Sequence, residues 1–178
     1  MAPLPMKHCF VCGTKLIERR LESEGRDIPF CPSCRDYRFP IFNTAVSMVV
    51  CSPDKEKILL IRQYGGQEYI LTAGYVNKGE DAEDAARREI KEETGLTVTS
   101  LHFNRSHYFP PSNTLMLNFT AVVSDTDVHA NEEVDSWAWF SKEEARIRIR
   151  KNSLAEAFLL GWMDGKYHFP EYPVPPDR

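Results

Sequence analysis

Between Gly74 and Leu96 the chain reads Gly-x5-Glu-x7-Arg-Glu-Ile-Lys-Glu-Glu-Thr-Gly-Leu. Few local patterns restrict a fold as strongly. Asp81 before Ala82 predicts a helix start, Gly95 predicts its stop, and no proline interrupts the residues between them. At roughly 100° per residue, Ala82, Ala86 and Ile90 form one apolar stripe, while Glu89, Glu92 and Glu93 span an arc of about 100° that overlaps and borders it. An ordinary charged surface helix would carry its acids opposite the buried stripe. Carboxylates three and four residues apart also repel one another. A hard divalent cation removes that repulsion, and magnesium takes such oxygens together with substrate phosphates. Arg88 can orient one carboxylate through a two-pronged ion pair.

Four of the five cysteines form a second pattern. Cys9-x2-Cys12 is followed, after 18 residues, by Cys31-x2-Cys34, a spacing that predicts a structural zinc site. Four thiolates leave no open position for chemistry. The segment is too short to build much core, so metal binding is expected to supply its folding energy. Two disulfides and a thioredoxin-like redox pair are the competing readings, disfavoured by the lack of a secretion signal and of a surrounding βαβ pattern. Cys51 lies in an apolar run and reads as a buried small hydrophobe. His8 reads as a surface residue.

The chain has 178 residues and a net charge of −4, room for one medium domain and a small module and no global field for nucleic acid or anionic membrane. No apolar run is long enough to span a membrane, and the first residues lack the apolar core of a signal peptide, so a cytoplasmic location is expected. Ala45 to Cys51 and Lys57 to Arg62 predict a hairpin around the turn Ser52-Pro-Asp-Lys. Gln63 to Gln67 reads as a loop. Leu96 to Phe103, Leu115 to Val123 and Val134 to Phe140 predict further strands, the last with Trp137 and Trp139 on one side. Ser141 predicts a cap for a short helix through Glu144, and Leu154 to Met163 predicts a terminal helix. Pro170 to Pro176 reads as an extended proline-rich tail. Strands covered by two or three helices predict a mixed α/β sandwich.

At every defined position, the Gly74–Leu96 string resembles the Nudix box, Gly-x5-Glu-x7-Arg-Glu-U-x-Glu-Glu-x-Gly-U with U apolar. The resemblance implies the Nudix α/β/α sandwich with a mixed sheet, and a hydrolase using magnesium or manganese to cleave a diphosphate linked to a nucleoside. A four-cysteine ribbon directly before such a domain resembles the bacterial NADH pyrophosphatases, from about Cys9 to Gly165. Leu71-Thr-Ala-Gly74-Tyr-Val, Glu133-Val-x4-Trp139-Phe140 and Ser153-Leu-Ala-x-x-Phe resemble that group's patterns. The expected division is a zinc ribbon over residues 1–38 and a Nudix domain over 39–178. The group's further N-terminal domain is not expected within these 178 residues. Its substrate signature, Ser-Gln-Pro-Trp-Pro-Phe-Pro-x-Ser, corresponds to Ser106-His-Tyr-Phe-Pro-Pro-Ser112-Asn, without the Trp.

The resemblance assigns Glu92 and Glu93 as principal magnesium ligands, with Glu89 completing the shell and the Gly74 carbonyl as a further ligand. Arg88 orients the glutamates and Glu80 holds the loop–helix geometry. Glu133 is either a general base or an additional metal ligand. Tyr108 and Phe109 either stack on a flat ring of the substrate or belong to the core. Phe39 and Tyr75 are further aromatic candidates. An NADH- or NAD-like dinucleotide is the expected substrate, giving AMP and a nicotinamide mononucleotide. ADP-ribose, a nucleotide sugar and the NAD cap of an RNA are alternatives, and a non-catalytic nucleotide sensor is a lesser one. A homodimer is implied. Lys15, Arg19 and Arg20 are offset by Glu18, Glu22 and Glu24, so the ribbon makes a weak nucleic-acid surface.

Overall fold

A computed structural model of the chain describes residues 6–172; the tail beyond 172 lies outside these residues. The chain divides into two compact units, with the division between Phe42 and Asn43.

The first unit is a three-stranded antiparallel sheet: β1 (Ile17–Leu21), β2 (Arg26–Cys31) and β3 (Asp36–Tyr37), in that order. Its buried apolar side chains are few. Ile28 and Phe30 join Cys9 and Cys31, and Tyr37 meets Phe30 edge-on at 5.1 Å.

The second unit holds β4 (Asn43–Cys51), β5 (Lys57–Gln63), β6 (Thr72–Tyr75), α1 (Ala82–Thr94), β7 (Val98–Phe109), β8 (Thr114–Val123), β9 (Val134–Ser141), α2 (Lys142–Arg148) and α3 (Leu154–Asp164). The sheet runs β7-β8-β4-β5-β9, with β6 also on β4. The β4–β8 pair is parallel and the other named pairs are antiparallel, so the sheet is mixed. β4 is buried along nearly its whole length, as expected of a central strand covered on both faces. On one face, Val46, Met48, Val50, Leu59, Ile61 and Phe119 pack with Ala85, Ala86 and Ile90 of α1. On the other, Val49, Cys51, Ile58 and Leu60 pack with Ala145 of α2 and with Phe158 and Leu159 of α3. The buried Asn118 donates to the Ser47 carbonyl at 3.0 Å and accepts from Asn104 at 2.9 Å, joining β7, β8 and β4.

The expected hairpin is present, with Val50 opposite Leu59 and Cys51 opposite Ile58. Trp137 and Trp139 stand opposite Ile61 and Leu59, on one side of β9. Ser141 and Glu144 form a reciprocal capping box, and α2 runs past Glu144 to Arg148. The largest difference is β7, which extends to Phe109, six residues past the strand expected over Leu96 to Phe103. Pairing of Tyr108 with Leu115 and of Phe109 with Thr114 keeps them extended, and the prolines are confined to the 3-10 turn Pro110–Ser112 that closes the hairpin. Among the described residues, no helix is long and apolar enough to cross a membrane.

Candidate functional site

The helix α1 has the limits its local signals predict. Gly95 ends it in the left-handed conformation at φ 74°, and Asp81 sits at the N-cap without a side-chain cap bond. Glu80 instead turns inward and accepts the Asn77 backbone N–H at 3.0 Å. It also receives two prongs from Arg88, Nε at 2.7 Å and Nη2 at 2.9 Å. The same guanidinium donates to Glu89 at 2.7 Å, to Glu92 at 2.9 Å and to the Tyr75 carbonyl at 3.0 Å. Arg88 thus joins the entry loop to both helix carboxylates. Its hydrogen bonds hold Glu80 down at about 2.

Replacing Arg88 by Met is expected to leave Glu89 without its ion pair and Glu80 with only the Asn77 N–H, at 14% and 17% side-chain exposure. The loss in a urea-denaturation experiment should be about 2–3 kcal/mol, below that of a fully buried pair because Arg88 is itself 27% exposed. Lysine should rescue little of it, since one ammonium cannot reproduce the planar fork.

Gly74 is required for contact. A Cβ there would lie 1.9 Å from Glu89 Cδ and 2.2 and 2.3 Å from its oxygens. Gly74→Ala should therefore displace the Glu89 carboxylate. Manganese binding followed by electron paramagnetic resonance should weaken about 10–100-fold, the range for a disturbed ligand environment.

Glu93 is only 3% exposed. Oε1 accepts Gln63 Nε2 at 2.6 Å, and Oε2 is buried without a hydrogen-bond partner. Burial, aided by the charges of Glu89, Glu133 and Glu92, pushes its pKa up to about 7 against the Gln63 bond. An orphaned buried carboxylate oxygen beside other carboxylates fits a hard divalent cation, which would compensate charge and oxygen together. Glu89, against Gly74, and Glu92, 56% exposed, are the other helix oxygens able to serve.

Glu133, just before β9, is near enough for its charge to act on Glu93. Its Oε2 accepts the Tyr64 hydroxyl at 3.0 Å, and the neighbouring Asp135 accepts the Gly65 N–H at 2.7 Å. Asn131 N–H reaches the Glu93 carbonyl at 3.2 Å. Sequence reasoning missed Gln63, Tyr64 and Asp135. For Gln63 and Tyr64 the local sign was a polar ending to an apolar strand before Gly65-Gly66, and nothing local marked Asp135.

The aromatic candidates of the second unit do not gather at one place. Tyr108 and Phe109 are adjacent in β7 and point to opposite faces. Tyr108 donates to Asn113 Oδ1 at 2.7 Å, whereas Phe109 packs edge-on against Tyr172 at 4.7 Å. Tyr75 is exposed next to Gly74 on β6, and strand alternation turns its ring away from the face of α1. Phe39 is exposed and belongs to the first unit.

In that unit, Cys9, Cys12, Cys31 and Cys34 bring their sulfurs within 4.8 Å of one another. Separations are 3.9 Å for Cys9–Cys34, 3.5 Å for Cys12–Cys31 and 3.4 Å for Cys12–Cys34. Tetrahedral zinc with Zn–S near 2.3 Å requires about 3.8 Å between sulfurs, whereas a disulfide requires about 2.05 Å. All four thiols are free, and the donor set fits structural zinc. The two knuckles close through Gly13 N–H to the Cys9 carbonyl and Arg35 N–H to the Cys31 carbonyl, each at 2.8 Å. The buried Arg38 donates to Cys9 Sγ at 3.1 Å, placing a positive charge beside the thiolates.

The chain is similar to the human NAD-capped RNA hydrolase NUDT12, 31% identical over 162 residues that cover 86% of this chain and 35% of that one. It is also similar to the NAD-capped RNA hydrolase NudC of Pseudomonas aeruginosa, 31% identical over 157 residues, 86% of this chain and 54% of that one. The chain thus spans about a third to a half of the length of these curated relatives. A Nudix hydrolase crystal structure from Nitrosomonas europaea shares the fold at a TM-score of 0.57 and 21% identity, over 92% of this chain and 96% of that one. The NUDIX domain profile matches residues 42–159, which include the glutamate helix, the Gln63–Gly65 turn and Glu133, and so the chain belongs to the Nudix family.

Proposed function

We propose that this chain hydrolyses the diphosphate of an NADH- or NAD-like dinucleotide, adding water across the bond to give AMP and a nicotinamide mononucleotide. The observation that carries the reading is the α1 cluster, where Arg88 holds Glu89 and Glu92 while Glu93 keeps a buried oxygen unpartnered. A divalent cation held there would neutralise diphosphate charge, lower the pKa of a bound water and stabilise the leaving oxygen. In this reading Glu92, Glu93 and Glu89 supply the ligand oxygens, the Gly74 carbonyl adds one, and Arg88 fixes their orientation. Glu133 accepts the proton of the attacking water. The names of the similar human and Pseudomonas proteins support a second substrate of the same chemistry, the NAD cap of an RNA.

The test is a panel assay with magnesium against NADH, NAD, ADP-ribose, diadenosine polyphosphates, nucleotide sugars and NAD-capped RNA, with products separated. Preferred release of AMP from NADH supports the dinucleotide reading, and preferred decapping supports the second. A different preferred substrate retains diphosphate chemistry but overturns the dinucleotide assignment. Turnover of nothing moves the reading to a nucleotide sensor.

A further inference from the structure

Three consecutive residues outside the glutamate motif each hold one acidic group. Gln63 donates to Glu93 at 2.6 Å, the Tyr64 hydroxyl donates to Glu133 at 3.0 Å, and the Gly65 N–H donates to Asp135 at 2.7 Å. They lie in one tight turn, closed by Gly66 N–H on the Gln63 carbonyl at 2.9 Å. Both central residues are left-handed, Tyr64 at φ 54° and Gly65 at φ 74°. Glycine, asparagine or aspartate adopts that conformation cheaply, and a bulky aromatic does not. Packing gives little in return, because Tyr64 is 76% exposed. Its hydroxyl contact with Glu133 is the interaction that its placement secures. Strained backbone of this kind concentrates where a side chain must be held for function.

The segment receiving these bonds is also tied from the other side. Asn131 N–H reaches the Glu93 carbonyl, and Asn131 Oδ1 accepts the Glu133 N–H at 3.0 Å. The residues of α1 and those entering β9 are therefore joined at two levels, by Asn131 at the main-chain groups of Glu93 and Glu133 and by the turn at the carboxylates of Glu93, Glu133 and Asp135. Neutral donors suit this task, since they hold mutually repelling carboxylates close together without adding a charge that would compete with a cation.

We propose that the Gln63–Gly65 turn is a clamp that sets Glu133 against the carboxylates of α1, with Tyr64 the positioning residue for Glu133. The catalytic consequence rests on the hydrolase reading above. Tyr64 acts through Glu133 and not on the substrate, so its loss should appear in kcat and depend on Glu133 being present.

The experiment is a double-mutant cycle of Tyr64→Phe and Glu133→Ala in the full chain, using the preferred substrate from the panel. Hydrogen–deuterium exchange is followed over residues 132–137 in parallel. Tyr64→Phe is expected to lower kcat about tenfold with KM within about twofold. In the Glu133→Ala background the same change should alter kcat by less than about twofold. Exchange over 132–137 should quicken while the thermal midpoint stays unchanged. Equal losses in both backgrounds, or wild-type kcat in Tyr64→Phe, would overturn the positioning role. If the wild-type chain turns over nothing, the hydrolase reading fails and exchange alone decides the clamp. Faster exchange then upholds it, and unchanged exchange overturns it.

Discussion

Glu93→Gln is expected to lower magnesium-dependent turnover roughly 10²–10³-fold, the scale for removing one group that stabilises transition-state charge. It should also remove a pH dependence from the stability of the metal-free protein. The Glu93 pKa is raised from 4.5 to about 7 by burial and neighbouring carboxylates. Between those values the folded protein retains a proton that the unfolded chain releases, so stability falls as pH rises through this window. The expected loss is about 3 kcal/mol by pH 7–8. Glu80 acts with the opposite sign at lower pH. Its pKa is held down to about 2, so the stability it contributes is present above 4.5 and is lost as pH falls toward 2. The metal-free wild type should therefore be most stable near pH 4.5. Urea midpoints at pH 4.5, 6 and 8, in chelator and in magnesium, check this. Glu93→Gln should be flat between pH 4.5 and 8 in chelator, and magnesium should raise the wild-type midpoint most at pH 8. A wild-type midpoint in chelator that does not fall from pH 4.5 to 8 would contradict the placement of Glu93 as a buried ionisable group.

Chelating the metal from the four thiols is expected to unfold residues 6–42 and leave the second unit folded. Ile28 and Phe30 are the unit's buried apolar side chains other than cysteine among the described residues, and such a core cannot offset the conformational entropy of the segment. Structural zinc in small fingers supplies about 10–16 kcal/mol, far more than Phe30 and Ile28 contribute. Hydrogen–deuterium exchange resolved by peptide should show full exchange over 6–42 in a strong chelator and continued protection of β4, β5 and α1. Cys31→Ser should behave like the chelated wild type. Unfolding by reductant alone, with chelator ineffective, would instead point to disulfides.

Much of the candidate site was legible because its parts are local. The ends of α1, the shared stripe of Ala86 and Ile90, and the border position of Glu93 all follow from helical periodicity and stop signals. The cysteine knuckles are local in the same sense, since two residues between ligands suffice to turn both sulfurs to one point. The capping box at Ser141 and Glu144 belongs to this class. By contrast, β7 could not be delimited from its own residues. Ser106 to Phe109 has a weak pattern beside two prolines, and its extended form comes from pairing with β8. That pairing also separates Tyr108 and Phe109 onto opposite faces, which adjacency in a list of aromatic candidates conceals.

The sequence by itself determined the chemistry available to this protein: four thiols spaced for one ion, and an arginine with three glutamates spaced along one helix. Tertiary structure alone decided how those groups are held. Gln63 meets Glu93 across 30 positions and Tyr64 meets Glu133 across 69, contacts that exist only once β5, α1 and β9 share a sheet and its covering helix. Residue type and local spacing fix what a side chain can bind, whereas its partner oxygen and its desolvation depend on chain segments that folding brings together.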